Sequence, residues 1–242
     1  MPSALVTGVS RRVGIGWNVA ERLSSDGWTV SATGWPPHDE GQPWGGDGTD
    51  PKFGNITWAR ADLEGPDVPA RLVENHVSNH GGLDALVVIH ARSSAQDLTT
   101  LTAEEIDASL AVNVRATLLL VKAAAIADVR RVVLFTTGVH REPMPTEIPY
   151  AVSKAAIQGI TATLATSLAQ RGATVNCVNP GPTDTGYADD TLFADVSSRM
   201  PLAARWGRPS DAAEVVAWLV SDSAGWMTGQ TIDSDGGWSL RS

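Results

Sequence analysis

The sequence has few of the features of a secreted, metal-binding or nucleic-acid-binding protein. Its 242 residues include a single cysteine, Cys177, which excludes an internal disulfide and a cysteine-rich metal site. Cys177 stands in the apolar run 175–178, so we predict that it belongs to the core. Acidic residues outnumber basic ones by 27 to 18, and the net charge of −9 argues against a nucleic-acid partner, which needs a basic face.

The chain also lacks a long hydrophobic run. No uninterrupted apolar segment reaches the roughly 18 residues typical of a transmembrane helix. The first residues lead straight into an apolar strand, with no basic region before it. The hydrophobic fraction of 43% and the charged fraction of 19% are ordinary for a soluble enzyme. We therefore expect a cytoplasmic protein with no membrane partner.

Short apolar runs alternate with helical patterns along the chain. Strands are predicted at 4–7, 29–33, 56–60, 85–89, 132–136, 174–178 and 230–233, and helices at 17–26, 68–80, 102–127, 153–170 and 211–221. Thr102 and Glu105 form a capping-box pattern at the start of the central helix. The alternation predicts an α/β fold, a Rossmann-type doubly wound parallel sheet of about seven strands, in a single domain spanning 1–242.

The segment 34–55 interrupts this alternation. It is rich in proline, glycine and aspartate, carries Trp35 and Trp44, and is predicted to be an insertion-like loop. A structureless stretch of this length inside a compact domain is uncommon and is often functional. Two interpretations stay open, a mobile surface insertion and a wall of the active site.

Tyr150 and Lys154 stand four residues apart at the start of the alanine-rich helix predicted at 153–170. Residues at this spacing share one helix face, so the ammonium group can approach the phenol. A free tyrosine has a pKa of about 10, and a nearby cation lowers it toward neutrality. The pair is a candidate proton-transfer centre, although two solvated side chains would show the same spacing.

A glycine-rich turn directly follows the first predicted strand. The run 7–16 contains Gly8, Gly14 and Gly16 and leads into a helix, which is the arrangement that binds the pyrophosphate of a dinucleotide. Ser10 and Ile15 belong to the same turn and are predicted to contact the cofactor with the glycines.

The choice of dinucleotide depends on charge near the adenosine ribose. The second strand ends at Gly34 without the carboxylate that binds the ribose hydroxyls in NAD enzymes. Arg11 and Arg12 in the glycine turn are suited to bind a 2′-phosphate, or are solvated. Asp39 and Glu40 lie nearby in the sequence and count against a phosphate. We predict NADPH (NADP) as the cofactor, with NADH less favoured.

Over nearly its whole length the chain resembles the short-chain dehydrogenase/reductase family. Its glycine turn is similar to the family's Thr-Gly-x-x-x-Gly-x-Gly loop, with two extra residues, as in pteridine reductases and divergent enoyl reductases. Tyr150 and Lys154 match the catalytic Tyr-x-x-x-Lys. Thr137 stands 13 residues before Tyr150, where the family has its catalytic serine, and Asn113 matches the asparagine of the tetrad.

The resemblance also implies further cofactor contacts. Asp62 and Leu63 look like the pair that flanks the adenine. A segment similar to the one that borders the nicotinamide contributes Pro180, Gly181, Thr183 and Thr185.

The implied reaction is hydride transfer between the nicotinamide and a carbonyl or alcohol carbon. In it Tyr150 exchanges the proton, and Lys154 lowers the pKa of Tyr150 and holds the nicotinamide ribose. Thr137 donates a hydrogen bond to the substrate oxygen, and its methyl group narrows the pocket; Thr136 is the less favoured hydroxyl. Asn113 positions a water that links Lys154 to solvent.

One family motif is missing. An ungapped count places residues 88–91 where the family has Asn-Asn-Ala-Gly, so the hydrogen bonds of that motif must be lost or replaced. His90 is a candidate polar substitute, with a structural role favoured over a catalytic one. No metal site is predicted, because the five histidines form no convincing ligand set: His38, His76, His80, His90 and His140.

Substrate and assembly are less constrained by the sequence. A lid is expected at about 186–207, and its apolar residues suit a hydrophobic or aromatic small-molecule substrate, or else pack the lid or a subunit interface. The loop 140–145 is another expected wall, where Arg141 either attracts an anionic substrate or is solvated. The resemblance implies a homo-oligomer, a tetramer or a dimer.

Three functions stay open. The leading one is an NADPH-dependent carbonyl reductase, similar in layout to 3-oxoacyl-acyl-carrier-protein reductases. The second is a reductase of a C=N or C=C bond, as pteridine and enoyl reductases are. The third is a non-catalytic NADP-binding protein.

Overall fold

The computed structural model describes residues 1–52, 54–139 and 143–240. Its strands are β1 (Ser3–Thr7), β2 (Thr29–Gly34), β3 (Thr57–Arg60), β4 (Ala85–Val88), β5 (Arg131–Phe135), β6 (Thr174–Asn179) and β7 (Thr231–Asp233). They form one parallel sheet in the order β3-β2-β1-β4-β5-β6-β7. The predicted doubly wound sheet of seven strands is confirmed.

Helices cover both faces of the sheet. They are α1 (Ile15–Ser25), α2 (Pro36–Glu40), α3 (Val68–His80), α4 (Ala103–Ser109), α5 (Ala116–Ile126), α6 (Ile148–Ala169), α7 (Asp190–Arg199) and α8 (Pro209–Val220). Successive residues of β1 point to opposite faces. Val6 packs with residues of α1 and α8 on one face, whereas Leu5 packs with α3, α5 and α6 on the other. Both faces are therefore buried, which explains the nearly continuous apolar character of the central strands.

Two helices were missed in the sequence. The prediction of a structureless segment 34–55 is wrong at α2, which begins with Pro36 and Pro37, residues that the first turn of a helix tolerates because its N–H groups are free. In the segment 186–207, α7 is capped by Asp189, whose side chain accepts a hydrogen bond from Leu192 N at 2.8 Å.

Two helix boundaries also differ from the prediction. The helix predicted to start at 153 begins at Ile148, so Tyr150 lies in its first turn. The long central helix is divided by a π-helical turn, Leu110–Arg115, between α4 and α5. Thr102 caps α4 by accepting from Glu105 N at 3.2 Å, but the Glu105 carboxylate binds Arg92 instead of completing the capping box.

The continuous helical segment Ala103–Ile126 has the length and composition of a membrane-crossing helix, with 24 residues that include an 18-residue stretch of mean hydropathy 1.5. In the fold, α5 packs against α3 and the sheet, and Leu120 and Ala124 are fully buried. Core packing therefore accounts for much of its apolar composition. Ile126, at its end, is 74% exposed.

Candidate active site

A cavity of about 670 Å³ opens at the carboxyl ends of the strands, where the strand order reverses between β1 and β4. Most of the predicted cofactor residues line it: Gly8, Ser10, Arg11, Gly14, Ile15, Gly16, Asp62, Leu63, Tyr150, Pro180, Gly181, Thr183 and Thr185. Thr137 lines the same cavity. The fold therefore brings together residues more than one hundred positions apart in the sequence. Of the remaining candidates, Arg12, Asn113 and Lys154 do not line it.

The glycine turn is shaped by close backbone contacts. Gly8 has a φ of +82°, and a Cβ atom there would lie 2.5 Å from the backbone nitrogen of His90. A Cβ atom on Gly16 would collide with the carbonyl oxygen of Gly8. Only glycine fits at either position. The turn thus lies directly against the first residues of α1, whose free N–H groups are suited to a phosphate.

The end of β2 leaves no space for a side chain. A Cβ atom on Gly34 would collide with the carbonyl oxygen of Val9. The next residue, Trp35, donates its backbone N–H to Ser10 Oγ at 2.9 Å. No carboxylate can therefore stand at position 34, where a ribose-binding acid would be expected.

The insertion that follows β2 is a wall of this cavity. Its lining residues are Trp35, Pro37, His38, Asp39, Gly41, Gln42 and Trp44. His38 Nε2 accepts a hydrogen bond from Ser93 N at 3.1 Å, which fastens α2 to the loop after β4. Trp44 Nε1 donates to Asp39 Oδ1 at 3.2 Å. Of the two interpretations of the segment 34–55, the structure favours an active-site wall.

The two arginines of the glycine turn point in different directions. Arg11 lines the cavity, and its Nε is buried with no hydrogen-bond partner among the described residues. Arg12 instead forms an ion pair with Asp47 at 3.1 Å and donates to Thr49. Arg12 is directed to the insertion, so the phosphate contact expected of both arginines fits Arg11 alone.

Tyr150 and Lys154 lie on the same face of α6, as their spacing requires. Lys154 Nζ is 5.7 Å from the centre of the Tyr150 ring and donates to the carbonyl oxygen of Phe135 at 3.2 Å. Burial lowers the pKa of Lys154 to about 8. Burial, followed by the charges of Glu147 and Tyr187, raises the pKa of Tyr150 above its ordinary value. The direction is opposite to the lowering expected from the sequence, because burial dominates the pKa of Tyr150.

The hydroxyl groups of Thr136 and Thr137 have different surroundings. Both residues line the cavity, but Thr136 Oγ1 donates to the carbonyl oxygen of Lys154 at 2.9 Å. The Thr136 hydroxyl proton is therefore used in a hydrogen bond to α6. Thr137 is the better candidate for a substrate contact, as its position in the sequence suggested.

Asn113 lies behind the cavity, in the π-helical turn, and is buried. Its Nδ2 donates to Ser153 Oγ at 2.8 Å and to the carbonyl oxygen of Arg92 at 3.0 Å. Its Oδ1 accepts from Arg92 N at 2.6 Å. The asparagine side chain therefore ties the loop after β4 to α6, one residue before Lys154.

His90, at the place of the missing motif, forms two hydrogen bonds. Its Nδ1 is 2.8 Å from Thr7 Oγ1, and its Nε2 is 2.9 Å from the carbonyl oxygen of Val112. Burial and then the charge of Lys154 lower the pKa of His90 to about 3, so the ring is neutral. The imidazole joins β1 to the π-helical turn, which supports the structural role favoured from the sequence.

The other described histidines also have polar partners. His76 Nδ1 and His80 Nε2 lie 2.9 and 3.0 Å from Ser31 Oγ, which ties α3 to β2. In the part of the chain that is described, no group of three or more His, Cys, Asp or Glu side chains is arranged to hold a metal ion. Cys177 is a buried core residue, as predicted. His140 and Arg141 lie outside the described residues.

Sequence reasoning missed Glu147, and it did not predict that Glu147, Tyr187 and Trp44 line one cavity with Tyr150. The rings of Trp44 and Tyr187 meet edge to face with centres 6.4 Å apart, and Tyr187 contacts Trp206 in the same way at 5.7 Å. Glu147 occupies the N-cap position of α6, three residues before Tyr150, without a side-chain capping hydrogen bond, and assigning the helix start to Ile148 would have revealed it.

Comparison with known proteins agrees with this geometry. Residues 8–239 match the family described as Enoyl-(Acyl carrier protein) reductase. The uncharacterized oxidoreductase YjdA of Bacillus subtilis is 33% identical, covering 97% of this chain and 95% of its own. The 3-oxoacyl-[acyl-carrier-protein] reductase FabG of Staphylococcus aureus is 31% identical, covering 97% of each chain.

Solved structures show the same likeness in three dimensions. The TT0495 protein from Thermus thermophilus superimposes with a TM-score of 0.83 and 31% identity over 100% of both chains. The match thus extends over the whole chain. The chain belongs to the short-chain dehydrogenase/reductase family of oxidoreductases.

Proposed function

We propose that this protein is an NADPH-dependent reductase of a carbonyl group, with Tyr150 as the proton donor. The observation that carries the proposal is the placement of Tyr150 and Thr137 in one cavity with the glycine turn. A dinucleotide bound along that cavity would supply the hydride, and the two hydroxyl groups would face the reacting oxygen. The name of the Staphylococcus aureus relative, 3-oxoacyl-[acyl-carrier-protein] reductase, agrees with this reaction class.

The shape and charge of the cavity support NADPH as the cofactor. Gly8 and Gly16, where backbone contacts exclude any side chain, line the cavity in the turn that would hold the pyrophosphate. The absence of space for a side chain at Gly34 removes the acid that would repel a 2′-phosphate. Arg11 lines the cavity with a buried Nε that lacks a partner among the described residues, so its guanidinium is suited to such a phosphate.

The protonation states suit reduction. The raised pKa of Tyr150, caused first by burial, keeps the phenol protonated at neutral pH and able to donate to a developing alkoxide. The pKa of Lys154, lowered by burial to about 8, still leaves the ammonium largely charged at neutral pH. Its charge would stabilise the phenolate left after proton transfer. Thr137 would donate to the substrate oxygen, and Asn113 would hold the loop and helix around Lys154.

NADPH oxidation against ketones, 3-oxoacyl thioesters, imines and enones tests the proposal, with Tyr150→Phe as the control. We expect turnover of a carbonyl compound and its near-abolition in the variant. Turnover of imines or enones alone would favour the C=N or C=C alternative. NADPH binding without turnover of any compound would favour a non-catalytic binding protein.

We further propose a cytoplasmic homo-oligomer, a tetramer or a dimer. Exposed apolar side chains on α5, on α8 and next to β7 support an interface. Ile126 is 74% exposed, Trp218 is 42% exposed and Trp226 is fully exposed. Side chains of this kind are costly to leave in water when they cluster.

A further inference from the structure

Glu147 is the one charged residue beside Tyr150 among the described residues that line the cavity. The other charged lining residues come after β1, β2, β3 and β4 in the sequence: Arg11, Asp39, Asp62, Glu64 and Arg92. Of these, Asp39 accepts a hydrogen bond from Trp44, and Arg11 Nη2 lies next to Gly186. Glu147 is in the N-cap position of α6, three residues before Tyr150, and both line the cavity. Its carboxylate therefore lies at the substrate end.

The Glu147 carboxylate forms no hydrogen bond or ion pair with any described residue. It does not cap its own helix, although it occupies the N-cap position. Its charge raises the pKa of Tyr187, after burial, to about 12, and it adds to the raised pKa of Tyr150. The carboxylate is thus within electrostatic reach of both phenols, and burial raises its own pKa. A half-buried anion without a partner is costly, and a bound cation would recover that cost.

Aromatic rings surround the same end of the cavity. Trp44 and Tyr187 meet edge to face and both line it, and Trp206 packs behind Tyr187. Faces of Trp and Tyr attract organic cations, and this attraction grows when the cation is shielded from water. A carboxylate next to such rings is the combination that recognises an alkylammonium group.

We propose that Glu147, together with Trp44 and Tyr187, selects a substrate whose reducible group lies close to a positively charged nitrogen. An amino ketone with an alkylated ammonium group a few bonds from the carbonyl has this chemistry. The cation would lie against the carboxylate and the rings while the carbonyl oxygen faces Tyr150 and Thr137. The inference rests on the proposed reductase function, and it names the substrate class of that site.

Three ketones of similar size test the charge requirement. N,N-dimethyl-4-oxopiperidinium is permanently cationic, 4,4-dimethylcyclohexanone is its neutral isostere, and 4-oxocyclohexanecarboxylate is anionic. Their binding to the NADP complex of the protein is measured by calorimetry, and their reduction by NADPH oxidation. We expect the cationic ketone to bind at least about tenfold more tightly than the neutral isostere. The quaternary ammonium group cannot donate a hydrogen bond, so this preference measures its attraction to the partly buried carboxylate and the aromatic rings.

Two variants assign that preference to Glu147. In Glu147→Gln the preference for the cationic ketone should fall nearly to one, through KM with little change in kcat, while binding of the neutral ketone is kept. Glu147→Asp should retain part of it. If Glu147 had a purely structural role, its replacement would weaken the binding of the cationic and the neutral ketone alike.

The outcomes separate this inference from the proposed function. Charge-selective binding without reduction would sustain the inference and contradict the reductase. Equal use of the cationic and neutral ketones, binding of none of them, or preference for the anionic ketone would overturn the inference. A preference that survives in Glu147→Gln would overturn it as well.

Discussion

Lys154 Nζ lies 5.7 Å from the centre of the Tyr150 ring and donates to the carbonyl oxygen of Phe135. We therefore expect the lysine to act on the phenol through its charge. Burial dominates the pKa of both groups, raising that of Tyr150 and lowering that of Lys154 to about 8. The site is poised as a protonated phenol next to a cation that titrates just above neutrality.

Carbonyl reduction should therefore slow as the pH rises through about 8. Below that pH the Lys154 ammonium is charged and stabilises the phenolate that forms in proton transfer, and above it the charge is lost. The measurement is kcat/KM for a ketone with NADPH between pH 6 and 10, on the order of two units to either side of the lysine pKa. In Lys154→Arg, whose guanidinium stays charged, the decline near pH 8 should disappear. A decline that persists in this variant would assign the titration to another group.

Replacing Tyr150 by phenylalanine should reduce turnover by at least about 100-fold, the usual contribution of a general acid. The ring stays in place, so NADPH binding measured by fluorescence should change little. Thr136→Val is a matched control at the adjacent position. The Thr136 hydroxyl donates to α6, whereas the Thr137 hydroxyl donates to no described residue of that helix. Thr137→Val should lower kcat by more than Thr136→Val does. The reverse order would exchange the roles of the two threonines.

Arg11→Ala should weaken NADPH binding by roughly 10–100-fold and leave NADH binding nearly unchanged, since a charge-assisted hydrogen bond contributes about 1.5–3 kcal/mol. Arg12→Ala is the matched control, because Arg12 is paired with Asp47 outside the cavity lining. Calorimetry on both variants gives the dissociation constants of NADPH and NADH for this comparison. An equal loss in both variants would contradict the separation of the two arginines.

His90→Leu should lower the free energy of unfolding by about 1–3 kcal/mol, because the buried Thr7 hydroxyl and the Val112 carbonyl lose their partner. His90→Asn should cost less. The wild-type advantage over His90→Asn should shrink as the pH falls below 6.5. There the unfolded imidazole takes up a proton, while the folded one, whose pKa burial lowers to about 3, does not. Urea unfolding of both proteins between pH 4 and 8, roughly spanning the ordinary histidine pKa, measures the difference.

Ile126→Glu combined with Trp226→Glu should reduce the molecular mass in solution, because both exposed side chains lie where we propose subunit contacts. Light scattering gives the mass, and circular dichroism checks that the fold is kept. Glu21→Gln, on α1 outside these surfaces, serves as the control. A wild-type protein that is strictly monomeric would contradict the proposed oligomer.

The sequence alone determined the elements that depend on local pattern. The apolar runs of β1 and β4 predicted strands buried on both faces, and the glycines at 8, 14 and 16 predicted a tight turn between a strand and a helix. Spacing alone put Tyr150 and Lys154 on one face of α6. The tertiary structure decided everything that depends on distant neighbours. It showed that Arg12 forms an ion pair with Asp47 and does not line the cavity, and that His90 forms hydrogen bonds with Thr7 and Val112. It also showed Glu147 and Trp44, from separate segments, at the same end of one cavity. Charge pairing, burial and the pKa of a buried phenol depend on which chain segments meet, and no local pattern contains that information.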